Sequence, residues 1–239
     1  MSRGVLYIAG GAAYIDEAIV SARSVKAVSD LPITVVADRE VDDPVFDTVV
    51  TRDEFLYHCR DSVLQIPSLP YDLTLLLDTD TYVTEGFEAI FDLPAFAEVA
   101  AAPIAEARYR IAELPETVPE LNTGVVVFRK STHTAQLIDR WKQIYERYLQ
   151  GGTRMNQPAF REALWETETP FLMLPPEYNC RANHGGYLTD GVRIVHAKLE
   201  DHRDALEMLN RTEMPRVFFT DEQGLRVQRV DTASNVIRR

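Results

Sequence analysis

The chain has 239 residues, 46 % of them hydrophobic, and a formal net charge of −12, which is length and apolar content enough for one large α/β domain with a real core. The acidic balance argues against nucleic acid or an anionic membrane surface as the main partner, because both demand a positive field, and an anionic substrate would need a bound divalent cation and nearby basic side chains. No apolar run approaches the roughly 18 to 20 residues that cross a bilayer, so no membrane span and a cytoplasmic location are expected. Cys59 and Cys180 form no CxxC pair and indicate neither a disulfide framework nor a zinc cluster.

Residues 5–9 read as a first strand, and the small residues from Gly10 to Ala13 as a turn. A helix over 14–28 follows, in which Ile15, Ala18, Ile19, Ala22 and Val25 recur at helical spacing. Residues 33–38 make a second strand, so strand, helix and strand form a βαβ unit and predict a parallel sheet. The Gly10-Gly11 turn lacks the later glycine of a dinucleotide fingerprint, yet it leaves room for a nucleotide base against the backbone. Residues 46–50 are a short third strand. The polar, aromatic stretch 51–68 contains Arg60, either a surface charge or a fork for phosphate oxygens.

Residues 72–83 (DLTLLLDTDTYV) are an apolar strand, buried on both faces, that ends abruptly in Asp78 and Asp80. Side chains at i and i+2 of an extended chain point the same way, so the two carboxylates project together and can hold one hard cation. A carboxylate pair at the C-terminal edge of a parallel sheet suits a metal-diphosphate complex. Residues 87–102 read as helical with a break at Pro94, and 103–120, rich in Pro and Glu, as a loop of the lid or binding type. Residues 121–129 (LNTGVVVFR) join Asn122 and Gly124 to a strongly β-prone run. Ser131 or Thr132 caps a helix whose stripe of Leu137, Ile138, Trp141, Ile144, Tyr145 and Tyr148 is core. Asn156-Gln157-Pro158 opens the next helix. A late strand over 192–196 ends in His196, and a short helix (205–209) precedes a terminal hairpin built from 217–220 and 225–230.

In order, Leu76-Leu77-Asp78-Thr79-Asp80-Thr81, Leu121-Asn122-Thr123-Gly124-Val125, Asn156-Gln157, Tyr178-Asn179 and Val195-His196 resemble the GT-A fold glycosyltransferases, and among them glycosyltransferase family 8. The resemblance covers residues 4–200. It implies a single Rossmann-like GT-A domain over 1–239, with a mostly parallel sheet flanked by helices. The nucleotide-binding half would be about 1–102, the acceptor side about 103–200, and 201–239 a small hairpin and helix extension. By the same resemblance Asp78, Asp80 and His196 bind Mn²⁺ (or Mg²⁺), and Ala9, Gly10, Gly11 and Tyr14 meet the nucleoside. Arg60 and Thr79 are further candidates for the donor nucleotide, while Asn122 and Gln157 approach the donor sugar. The implied reaction is retaining transfer from a nucleoside-diphosphate sugar, a UDP-sugar being favoured, to an acceptor the motifs do not identify. Self-association stays open.

Two departures qualify the likeness. Asn156 stands where the family has Asp, and the family's Gly and Lys-Pro-Trp are missing after His196, leaving Lys198 as a substitute. The residues also bear on three rival readings. A DxD phosphatase wants Thr or Val where Tyr82 stands, a sugar-nucleotide pyrophosphorylase needs a charged glycine-rich loop where Gly10 to Tyr14 carry no charge, and a degenerate binding module would bind without turnover.

Overall fold

The computed structural model describes residues 1–57, 60–104, 109–199, 201–212 and 214–230. It begins with β1 (Arg3–Ala9), α1 (Ala12–Lys26) and β2 (Ile33–Ala37). Val5 pairs with Ile33 and Ala9 with Ala37 in a parallel ladder, as a βαβ unit requires. β3 (Thr48–Thr51) adds to the far edge of β2, and the four-residue α2 (Asp61–Leu64) leads into β4 (Leu73–Leu77). β4 lies on the other side of β1, again parallel, with Val5 opposite Leu75. The chain thus reverses its direction of travel across the sheet between β1 and β4, and the C-terminal ends of those two strands frame the crevice where open α/β sheets bind ligands.

After β5 (Thr81–Val83) and a 3-10 turn (Phe87–Phe91) come β6 (Val99–Pro103), β7 (Leu121–Arg129), α3 (Thr132–Gln150), α4 (Gln157–Glu166) and β8 (Phe171–Met173). The main sheet runs β3-β2-β1-β4-β7-β6-β8 and is mostly parallel, with β7 antiparallel to both of its neighbours. A second 3-10 turn (Pro176–Tyr178) precedes β9 (Gly186–Leu188), β10 (Ile194–His196) and α5 (His202–Leu209); the hairpin of β11 (Arg216–Asp221) and β12 (Gly224–Arg229) follows. β10 pairs with β5, and β11 with β9, so the small C-terminal extension expected from sequence is present and is tied back to the sheet region. Among the described residues no helix is long and apolar enough to cross a membrane.

Alternation along β1 sends Val5, Tyr7 and Ala9 to one face, under Ile15, Ala18, Ala22 and Val25 of α1. Leu6 and Ile8 go to the other, under Leu137, Trp141 and Tyr145 of α3 and Phe160 of α4. Both faces being covered explains the near-continuous apolar strands. Each fully buried side chain of this kind contributes about 1.5–3 kcal/mol. α3 starts where Ser131 Oγ accepts the Thr134 N–H at 3.0 Å, the cap expected from sequence. A third cluster, including Cys180, Leu188, Val195, Leu206 and Phe218, holds the extension against β10.

One expected element is corrected. Residues 87–102 do not form an interrupted helix: a 3-10 turn ends at Phe91, and Val99–Pro103 is a strand between β7 and β8. Three successive alanines favour a helix in isolation, but Val99, Ala100, Ala101 and Ala102 are all buried inside the sheet. Tertiary burial therefore overrides local propensity here.

Candidate functional site

The site grows from the end of β4. The Asp78 N–H donates to Gly124 O at 2.8 Å, which fixes the first carboxylate beside β7. Thr81 Oγ1 donates back to Asp78 O at 2.8 Å and closes the Asp-Thr-Asp turn. Thr81 Oγ1 also bonds Ser21 Oγ (2.7 Å), which bonds the buried Tyr7 hydroxyl (2.8 Å), so a chain of hydroxyls pins the turn to α1 and β1. Burial, offset only in part by Ser21 and Thr81, pushes the Tyr7 phenol well above its ordinary range, and it remains a neutral hydrogen-bonding group. On the opposite side Thr81 pairs with His196 across β5 and β10, and the Ala197 N–H donates to Asp80 O at 3.1 Å.

This framework brings His196 Nε2 to 3.5 Å from Asp78 Oδ2 and 3.5 Å from Asp80 Oδ1. One ligand atom from each residue lies within 4.8 Å of the other two. Burial alone would hold the imidazole neutral, but the hydrogen bonds and charges of the two carboxylates outweigh it and raise the His196 pKa to about 9. Burial likewise pushes the Asp80 carboxyl up, and His196 more than reverses this, leaving Asp80 below the usual carboxylate range. Gly124 is required by this packing: a Cβ there would sit 2.1 Å from His196 Cε1 and 2.7 Å from Asp78 Oδ2. His196 Nδ1 is 2.9 Å from Asn179 Oδ1, so Nε2 is the ring atom turned toward the carboxylates. Two carboxylates from the turn after β4 and one imidazole from β10 could together hold a divalent cation.

The three residues line one cavity of about 260 Å³ together with Gly10, Tyr14, Thr79, Asn122 and Gln157. Gln157, in the first turn of α4, is buried. Asn122 Oδ1 accepts from the Gly124 N–H (3.0 Å) and from Asn179 Nδ2 (2.8 Å), which leaves its NH₂ as the group it can offer the cavity. Glu17 of α1 accepts from Thr79 Oγ1 (2.8 Å) and from Lys198 Nζ (3.0 Å), and Lys198 lies 5.0 Å from the Tyr14 ring centroid. Burial disfavours the Lys198 charge, but Glu17 outweighs it and keeps the ammonium at the cavity.

Other candidates from the sequence lie elsewhere. Ala9 is buried in the core under α1. Gly11 does not line the cavity; it has φ 88° and donates its N–H to Asp38 Oδ1 at 3.0 Å, a conformation glycine adopts without a steric penalty. Arg60 immediately precedes α2 and is also outside the cavity lining, whereas its neighbours Asp61 and Ser62 line it. Thr123, Arg154, Met155, Asn156 and Arg181 line it as well. Asn156 accepts from Thr123 Oγ1 at 2.7 Å. The basic side chains Arg154, Arg181 and Lys198 thus meet the cavity of an otherwise acidic chain. Nothing in the sequence singled out Arg154 beyond its nearness to Asn156-Gln157.

Comparison with protein-family models and with curated proteins finds no match. Solved structures do match, and the fold they share with this chain is that of the GT-A glycosyltransferases, as the motif order implied. The chain is similar to the galactosyltransferase LgtC in complex with donor and acceptor sugar analogues (TM-score 0.61, 13 % identity, 87 % of this chain and 94 % of that one). It is also similar to the glycosyltransferase GlyE of Streptococcus pneumoniae TIGR4 (TM-score 0.56, 16 % identity, 76 % of this chain). Mouse xyloside xylosyltransferase 1 matches at a TM-score of 0.51 and 14 % identity, over 83 % of this chain and 98 % of that one. This chain spans about half, 48 %, of the GlyE chain it matches.

Proposed function

We propose that the chain is a metal-dependent glycosyltransferase that takes a nucleoside-diphosphate sugar, a UDP-sugar by preference, as donor. The observation that carries this reading is the meeting of Asp78, Asp80 and His196 at the β1/β4 switch point, in a cavity that also contains Asn122, Gln157 and Lys198. Mn²⁺ bound by the triad would neutralise the charge that develops on the leaving diphosphate. Lys198 adds a second positive charge on the same side, steered by Glu17. Gly10 and Tyr14 offer bare backbone and an aromatic ring to the nucleoside. Asn122 and Gln157 offer amide groups to the sugar.

Retention of anomeric configuration is part of the proposal. Asn156 and Gln157 present amides and no carboxylate, and an amide is neither a general base near neutral pH nor a good nucleophile. A front-face route needs only that the leaving phosphate take the acceptor's proton while Gln157 and Asn122 steady the positive charge on the sugar. Calorimetry with UDP and Mn²⁺ tests the reading: metal-dependent binding of the nucleotide is expected, and no binding of any nucleoside diphosphate with metal present overturns it. NMR of the first-formed product from an α-linked donor tests the stereochemistry. A β-linked product would refute retention and turn attention to Asp61, the carboxylate of α2 that lines the cavity.

A further inference from the structure

We propose that Asn179 is a positioning residue for His196: by accepting the Nδ1 hydrogen it leaves Nε2 as the ring atom that gives its lone pair to a cation held between Asp78 and Asp80. The inference rests on the metal reading above and deepens it. One backbone donor beside this pair has a fixed direction. The Gly124 N–H can only donate, and it points at the Asn122 side chain at 3.0 Å, so the Asn122 atom there is the oxygen. That same oxygen lies 2.8 Å from the Asn179 amide, which must therefore present its NH₂. The remaining Asn179 atom is then its oxygen, and it lies 2.9 Å from His196 Nδ1. A carbonyl oxygen only accepts, so Nδ1 carries a hydrogen.

Asn122, Asn179 and His196 are each at most 6 % exposed, so water is a poor substitute for any link of this relay. Reversing either amide would set oxygen against oxygen or nitrogen against nitrogen. A hydrogen placed on Nε2 instead would point at the two carboxylates and occupy the ring atom that a cation needs. Outer partners of this kind orient a ligating imidazole and fix its tautomer. The relay also gives the Asn122-Thr123-Gly124 segment of β7 a second role: the backbone that presents Asn122 to the cavity also sets the ring state of a metal ligand 74 residues later in the sequence (196 minus 122).

Two measurements on the full chain test this. The first is ¹⁵N NMR of His196 in the wild-type protein loaded with diamagnetic Zn²⁺ in place of Mn²⁺: a hydrogen on Nδ1 and the metal on Nε2 are expected, and the reverse overturns the proposal without recourse to any variant. The second compares Mn²⁺ affinity, read by electron paramagnetic resonance of the free ion, in wild type, Asn179→Leu and Asn179→Asp. Asn179→Leu removes the acceptor at similar volume and should lose affinity by about 10- to 100-fold, whereas Asn179→Asp keeps an acceptor for Nδ1–H, though its second oxygen meets Asn122 Oδ1, and should bind Mn²⁺ more tightly than Asn179→Leu. Equal affinity in wild type and Asn179→Leu sinks this proposal alone. Failure of the wild type itself to bind Mn²⁺ sinks the metal reading and the proposal with it.

Discussion

Replacing Gly124 by Ala should damage the candidate metal site far more than it damages the fold. The added Cβ would lie 2.1 Å from His196 Cε1 and 2.7 Å from both His196 Nε2 and Asp78 Oδ2, where relaxed contacts need about 3.5 Å. The ring must therefore retreat by more than an ångström, and it is held by Asn179 on one edge and by the β10 backbone at its root. A shift of that size breaks the shared 3.5 Å approach of Nε2 to the two carboxylates. Overpacking of this kind costs about 1–3 kcal/mol, and each kcal/mol lowers the melting temperature by roughly 2–4 °C for a chain of this length. Mn²⁺ affinity should fall at least tenfold, equivalent to about 1.4 kcal/mol or more. Titration of Mn²⁺ alongside a thermal melt measures both, with Gly151→Ala as the control, since its new Cβ meets nothing nearer than 3.4 Å. A Gly124→Ala protein with wild-type Mn²⁺ affinity would refute the steric reasoning.

Three further outcomes follow from other contacts. The Arg39 guanidinium beside Asp38, with a further hydrogen bond from the Gly11 N–H, holds the Asp38 carboxyl down from an ordinary 3.8 to about 2. A depressed carboxyl contributes stability that is present above its unfolded pKa and lost as pH falls through the folded value, so the gap in melting temperature between wild type and Asp38→Asn should be open at pH 5 and close on the way to pH 2. A gap that widens with acid would contradict this. Ser21→Ala removes the middle of the Tyr7–Ser21–Thr81 hydroxyl chain and leaves the buried Tyr7 hydroxyl without it, at a cost of about 1–3 kcal/mol measured by denaturant titration. Arg161 and Glu120 are both nearly inaccessible and 3.9 Å apart, and Arg161 also donates to the carbonyls of Tyr109 and Pro115. Arg161→Met should cost about 3–5 kcal/mol and make 109–120 the first site of limited proteolysis, with Glu120→Gln restoring part of the loss.

The parts of the fold that were legible in sequence are those whose signal is local. An apolar run ending in Asp78 and Asp80, helical spacing in α1 and α3, and the Ser131 cap all depend on neighbours within a few residues; the helices and the cap lie within two or three residues of their patterns, while the strand expected over 72–83 stops at Leu77 and resumes as β5 after the Asp-Thr-Asp turn. β6 departs from its local pattern because alanines carry a helix preference while their place between β7 and β8 is decided by residues far away in sequence. The contacts that assemble the candidate site were hidden for the same reason. Nothing near Asn179 announces that it bonds both Asn122 and His196, and nothing near Glu17 announces Lys198, 181 positions later. Arg60 shows the limit of reading charge alone. It resembles a phosphate fork by residue type, yet the turn into α2 directs Asp61 and Ser62 to the cavity instead.

The central claim is that one cation, held by Asp78, Asp80 and His196, carries a nucleoside diphosphate. Anomalous diffraction from crystals soaked in Mn²⁺ and UDP measures it most directly. One anomalous peak is predicted within bonding distance of both carboxylates and His196 Nε2, with the diphosphate on its cavity side near Lys198. A UDP molecule bound with no peak there, or a peak that His196 does not reach, would contradict the account.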